Sequence, residues 1–199
     1  MGLDPRRMLR GALAGGIAAG AWALQQPLDK RVLHCDYDDV ELLGRAVLPR
    51  ADRARWYPVG LLLHVQNGAM FGAVYAGALG PLLARGGVPR VLGAPLVAQV
   101  ENYGLWPLGR LSDRFHPARN DLPRLAGNRR ALVQATWRHM LFGIVLGELE
   151  RRLNQEPQRR RSTLREAHER PGSKAGALPC RARWGWRTRQ PGSAGARRG

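Results

Sequence analysis

The chain has 199 residues, a formal net charge of +17 and 44% hydrophobic residues, which is room for one ordinary domain. Only Cys35 and Cys180 are present, so a disulfide framework and a thiolate zinc site are both excluded. Charge is concentrated at one end: residues 1–150 hold 18 Lys+Arg against 12 Asp+Glu, and residues 151–199 hold 14 against 3. It flanks apolar runs and forms no basic stripe with interleaved aromatics. That placement favours anionic lipid headgroups over nucleic acid as the partner.

The first apolar run, 11–24, follows Arg6, Arg7 and Arg10 and stays uncharged through Leu28. It is long enough for a span over about 8–28. The rival reading is an export signal cleaved near Ala21-Trp22-Ala23. Residues 29–58 form a polar connection. Within it, Val40, Leu43 and Val47 recur at helical spacing, with Asp38 as N-cap, Glu41 three residues on and Pro49 as the stop. The second run, 59–84, is uncharged if His64 is neutral. The third, 91–109, contains Glu101, Pro95 and Pro107, and the fourth, 131–149, contains Arg138 and His139.

Together these runs predict an all-α membrane bundle of about four transmembrane helices over residues 1–154, with spans at 8–28, 59–84, 91–109 and 131–149. Trp22, Trp56, Tyr57, Tyr103 and Trp106 then share one membrane face as an aromatic belt. The basic tail favours an inner-membrane location with both termini cytoplasmic. Residues 155–199, rich in Arg, Gly, Ala, Pro and Ser, read as a disordered basic tail. Beyond about residue 170 they could equally be an accidental extension, because GC-rich DNA encodes these residues in most frames.

Small residues recur every fourth position: Gly11, Gly15, Ala19 and Ala23, with a second row at Gly16 and Gly20; Gly68, Gly72, Ala76 and Gly80; and Ala131, Ala135, Gly143 and Gly147. Such stripes let helix backbones approach closely. His64 continues the second stripe and His139 fills the gap in the last, so both histidines face helix contacts. A pair of haem or metal ligands, or a proton relay, is the functional reading of the two. The plainer reading is a histidine bonded to a neighbouring backbone.

Glu101 and Arg138 stand near the midpoints of their runs, which predicts an ion pair between them at one membrane depth. Gln66, Asn67, Gln99, Asn102 and Gln134 are close enough in sequence to complete an intramembrane polar cluster with His64, Glu101, Arg138 and His139. In the loop before the last run, Asp113, His116, Arg119 and Asp121 are surface candidates for a metal or a phosphate-bearing headgroup, at no recognised ligand spacing. No serine stands beside a plausible base, and no phosphate loop follows a strand.

The stretches WALQQPLDKRV, YDDVELLG, HVQNGAMFGAVYA, HPARNDLPRLAGNRRALVQATWRH and FGIVLGELERRL resemble small uncharacterised multi-pass membrane proteins of high-GC bacteria. The resemblance implies a membrane location and no catalytic activity. The leading functional reading is a non-enzymatic membrane protein whose polar cluster serves transport or assembly, with a membrane-protein partner or as a homo-oligomer. The alternatives are a membrane-bound redox or metal/haem-binding protein using His64 and His139, and a soluble basic helical protein that binds nucleic acid.

Overall fold

A computed structural model describes residues 4–168, which are all-α. Their packed unit ends at Arg161. Five helical rods make it up. α1 is Pro5–Leu33 and α2 is Asp39–Val47. α3, Arg53–Val74, continues through a π turn at Tyr75–Leu79 into α4, Gly80–Arg85. α5, Arg90–Leu105, continues through a 3-10 turn at Trp106–Leu108 into α6, Gly109–Phe115. α7 is Arg129–His168.

Side-chain caps set the starts. Asp4 accepts from the amides of Arg6 and Arg7, with Pro5 in the first turn where no amide hydrogen is needed. Asp38 accepts from Val40 and Glu41, so α2 forms where its spacing and cap foretold. Asp52 accepts from Arg55. α1 closes at His34, whose left-handed backbone (φ 48°) turns the chain towards α2. The π turn precedes Pro81, whose ring cannot sit over the preceding turn of a regular helix.

Among the described residues, no helix is long and apolar enough to cross a membrane. This overturns the four-span bundle, and with it the multi-pass inner-membrane location, the aromatic belt and the intramembrane setting of the polar cluster. An uncharged run is not the same as an apolar one. The 59–84 run carries His64, Gln66, Asn67 and five glycines, and its helix begins earlier, at Arg53, and changes register at Tyr75. α1 is long, but Gly, Ala, Gln25, Gln26 and Pro27 dilute it, and it continues past Asp29 and Lys30. α5 has 16 residues, about 24 Å at 1.5 Å per residue, short of a hydrocarbon core of about 30 Å. The fourth run lies inside a 40-residue helix that passes Asn154 and reaches His168. Residues 169–199 lie outside the described residues.

The small-residue stripes form close helix contacts. A Cβ at Gly11 would run into the Gly72 carbonyl, one at Gly15 into the Gly68 carbonyl, and one at Gly72 into the Gly11 carbonyl. α1 and α3 therefore touch backbone to backbone, and α7 meets α5 the same way at Gly143 and Pro95. The core contains Ala14, Ala18, Ala19, Ala94 and Ala98 around Trp22, Tyr75, Phe142 and Leu146. Many larger aliphatic side chains face outward, including Leu9, Leu13, Ile17, Leu24 and Leu28 on α1 and Val133 and Ile144 on α7.

The second row on α1 behaves differently, because a Cβ at Gly20 would meet nothing within 4 Å. Gly20→Ala is expected to stabilise the protein by about 0.5–1 kcal/mol by removing backbone freedom from the unfolded chain. Gly15→Ala is expected to destabilise it by about 1–3 kcal/mol through overpacking. Denaturant midpoints of the two variants check this; equal effects would mean that the α1–α3 contact is looser than described.

Candidate functional site

Arg138 of α7 is fully buried, and its charge is met from the opposite end of the sequence. Its Nε and Nη2 donate to the two carboxylate oxygens of Asp29 at 2.6 and 2.7 Å, a bidentate fork. Nη1 donates to Asp39 at 2.8 Å, and Nη2 also reaches the Tyr37 carbonyl at 3.0 Å. Asp29 additionally accepts from Gln134 Nε2 at 2.6 Å and from Gln25 Nε2 one helical turn back. Gln134 donates to the Cys35 carbonyl as well. The knot thus ties α1, the chain leading into α2, and α7.

The expected Glu101–Arg138 pair does not form. Glu101 faces His139 instead, with Oε2 3.5 Å from Nε2. The reason is where helix α1 ends: Asp29, read as part of a polar connection, is in the last turns of α1 and points inward at 4% exposure.

Beside the knot lies a cavity of about 370 Å³. Trp22, His64, Ala19, Ala135, His139 and Phe142 line its inner part. Tyr37, Asp39, Asn102 and Phe71 form its walls, and the half-exposed Leu105 and Leu108 with Glu101 and Ser112 lie towards its mouth. Gly68, Ala19 and Ala135 also lie along it, and a Cβ at Gly68 would run into Ala19 and the Gly15 carbonyl, so the tight α1–α3 contact borders the hollow.

Asp39 joins knot and cavity. One oxygen takes the Arg138 bond and the other accepts from the Tyr37 hydroxyl at 2.6 Å. Burial opposes its ionisation, but the Arg138 guanidinium and the Tyr37 hydroxyl outweigh that and hold its carboxyl below the usual range. Burial, with the neighbouring Asp39 charge, pushes the Tyr37 hydroxyl well up. Burial keeps His64 below the ordinary histidine range, against the pull of Asp39. His64 Nε2 is buried without a hydrogen-bond partner. The Trp22 indole N–H is buried without one too.

The nine residues expected to form one cluster are thus divided. Gln134 and Arg138 belong to the buried knot. His64, Asn67, Glu101, Asn102 and His139 line the cavity. Gln99 donates to the Thr136 carbonyl and links α5 to α7, and Gln66 is exposed. His64 and His139 do not form a ligand pair: Trp22 contacts both rings edge-on, at 5.0 and 4.7 Å between centroids, and His139 Nδ1 bonds the Ala135 carbonyl. Among the described residues, no group of three or more His, Cys, Asp or Glu could hold a metal ion.

The loop candidates tie the loop down. Asp113 accepts from the amides of Leu125 and Ala126. His116 takes the Ala118 amide on Nδ1, so its Nε2–H donates to the Leu42 carbonyl at 2.9 Å. Asp121 pairs with Arg45, and Arg119 is exposed. The sequence reading missed Asp29, Tyr37 and Asp39. A signal for the first was present in Gln25 and Asp29, four residues apart and therefore on one helix face.

No family model, curated protein or solved structure matches the chain.

Removing one partner of a buried pair leaves the other uncompensated. Asp29→Asn is therefore expected to cost about 3–5 kcal/mol and Glu101→Gln less than about 0.5 kcal/mol. Double-mutant cycles should give strong coupling of Arg138 to Asp29 and none to Glu101. Acid titration should show two losses. His64 has a folded pKa below its unfolded value, so stability declines as pH falls below about 6.5, where the unfolded chain takes up the proton first. The Asp39 contribution is present above about pH 4 and is lost as pH falls through its lowered pKa. Unfolding free energies measured from pH 8 to pH 3 check this, and His64→Leu should remove the upper loss alone.

Proposed function

We propose that this protein binds a small organic molecule in the cavity beside the Arg138 knot. One observation carries the reading: a concave site of about 370 Å³ is walled by Trp22, Tyr37, Phe71, Trp106 and Phe142, with Asp39, His64, Glu101 and Asn102 among its lining residues. Ligand sites in helical proteins have this character, a mostly apolar hollow of roughly 300–1,000 Å³ with a few convergent polar groups. Asp39 and Glu101 supply negative charge, and no Lys or Arg is among the lining residues, which disfavours an anionic ligand. The Arg138 knot supports the site from behind by fixing Asp39 and Tyr37.

A neutral aromatic dye, N-phenyl-1-naphthylamine, tests this. It is expected to bind with one saturable site, and Leu43→Trp and Ser112→Phe, which narrow the cavity, should each abolish that site while leaving the melting temperature within a few degrees. Dye binding equal in all three proteins would place it on the exposed apolar faces and overturn the reading.

Association with nucleic acid is a second reading, favoured by the excess of 14 Lys+Arg over 3 Asp+Glu in residues 151–199. It requires binding to a single-stranded oligonucleotide that weakens steeply with salt and is lost on truncation after Asn154.

A further inference from the structure

We propose that the ligand of this cavity is an organic ammonium, with an apolar body among the aromatic walls and its charged nitrogen at the mouth beside Glu101 and His139. This rests on the reading of the cavity as a binding site and names the class of its ligand.

The two carboxylates of the lining are not equivalent. Asp39 is already engaged, since Arg138 takes one of its oxygens and the Tyr37 hydroxyl the other. Glu101 has a side chain 39% exposed, and its ion-pair neighbour is His139, with Nε2 3.5 Å from Oε2. No Lys or Arg is among the lining residues, and both Glu101 and His139 line the cavity.

The far side of the imidazole shows what His139 offers to Glu101. The Ala135 carbonyl can only accept, so His139 Nδ1 carries the hydrogen of their 2.8 Å bond. Nε2 of the neutral ring is then a lone pair beside a carboxylate. Two acceptors thus stand together at the rim, one of them charged. An ammonium supplies both a positive charge and several N–H donors, so one nitrogen serves both.

Other head groups fit less well. A carboxylate meets the Glu101 charge with no cation in the lining to offset it. A hydroxyl donates one hydrogen and brings no charge. Position matters as well: a cation taken deep into the hollow would lose its water at a cost of several kcal/mol, whereas one held at half-exposed Glu101 keeps part of it.

The same histidine leads from the mouth to the interior. Its ring lies 4.7 Å from that of Trp22 between centroids, and Trp22, Phe142 and Phe71 follow in edge-on contacts. An aromatic or aliphatic body attached to the nitrogen therefore enters the apolar part of the hollow while the charge stays outside it.

The test uses one ring and three heads: 2-naphthylmethylammonium, 2-naphthalenemethanol and 2-naphthoate, each competed near neutral pH and at low salt against N-phenyl-1-naphthylamine bound to the full chain. The ammonium is expected to bind about tenfold or more tighter than the alcohol, with the carboxylate weakest. In Glu101→Gln that advantage should fall to about twofold or less, with alcohol binding as the control for an intact cavity. Added sodium chloride gives a second reading on the unaltered protein, where it should narrow the ammonium's advantage and leave the alcohol in place. If the ammonium displaces the dye no better than the alcohol, or if its advantage survives either Glu101→Gln or salt, the ammonium assignment fails and the binding site stands. If none of the three displaces a dye that Leu43→Trp and Ser112→Phe also fail to exclude, both fail.

Discussion

The buried guanidinium of Arg138 is the constraint on which the rest of the structure depends. A cation without exposure to water is tolerated only if its partners are held in place, because desolvation costs several kcal/mol per ion. Here two carboxylates, from the end of α1 and the start of α2, and a backbone carbonyl between them supply those partners. The same bonds fix where α1 ends, how the chain turns at His34 and how α2 lies on α7. Two carboxylates face one guanidinium, an excess of one negative charge, and the remaining demand of Asp29 is met by the amides of Gln25 and Gln134.

Packing allows this polar centre to coexist with close helices. Glycine and alanine stripes bring α1 onto α3 and α7 onto α5 at backbone distance, so little of the interior is filled by large aliphatic side chains. Ala19, Gly68 and Ala135 of the stripes also border a hollow lined by aromatic rings. Asp39, shared between the knot and that hollow, makes rigidity on one side the condition for a defined polar wall on the other. Removing Asp29 would therefore be felt in the cavity without any contact between the two.

The helical class and some of the helix contacts were legible, and the bundle was not. Small-residue periodicity marked the helix contacts, and the Asp38 cap with Val40, Leu43 and Val47 marked α2, because both signals are local. His64 and His139 were rightly expected at helix contacts, since the stripes that place them are real. The membrane setting was not supported. Small residues facing inward and uncharged runs facing outward give a similar pattern in either solvent. What separates the cases is how apolar a full span is, and His64, Gln66 and Asn67 in α3, Gln25 and Gln26 in α1 and the brevity of α5 decide that. The partner of Arg138 was hidden for a different reason. The uncharged run ended at Leu28, so Asp29 was assigned to the polar connection, and a pairing across 109 residues has no local signature.

Hydrogen exchange at the Arg138 guanidinium tests the central interaction most directly. In a proton–nitrogen correlation spectrum the Arg138 Nε–H, assigned by its loss in Arg138→Met, should appear as a resolved signal. It should exchange with water far more slowly than the signals of exposed arginines such as Arg119. Asp29→Asn should speed its exchange and Glu101→Gln should leave it unchanged. An Arg138 signal that exchanges as fast as those of the exposed arginines, or one that responds to Glu101→Gln and not to Asp29→Asn, would contradict the pairing.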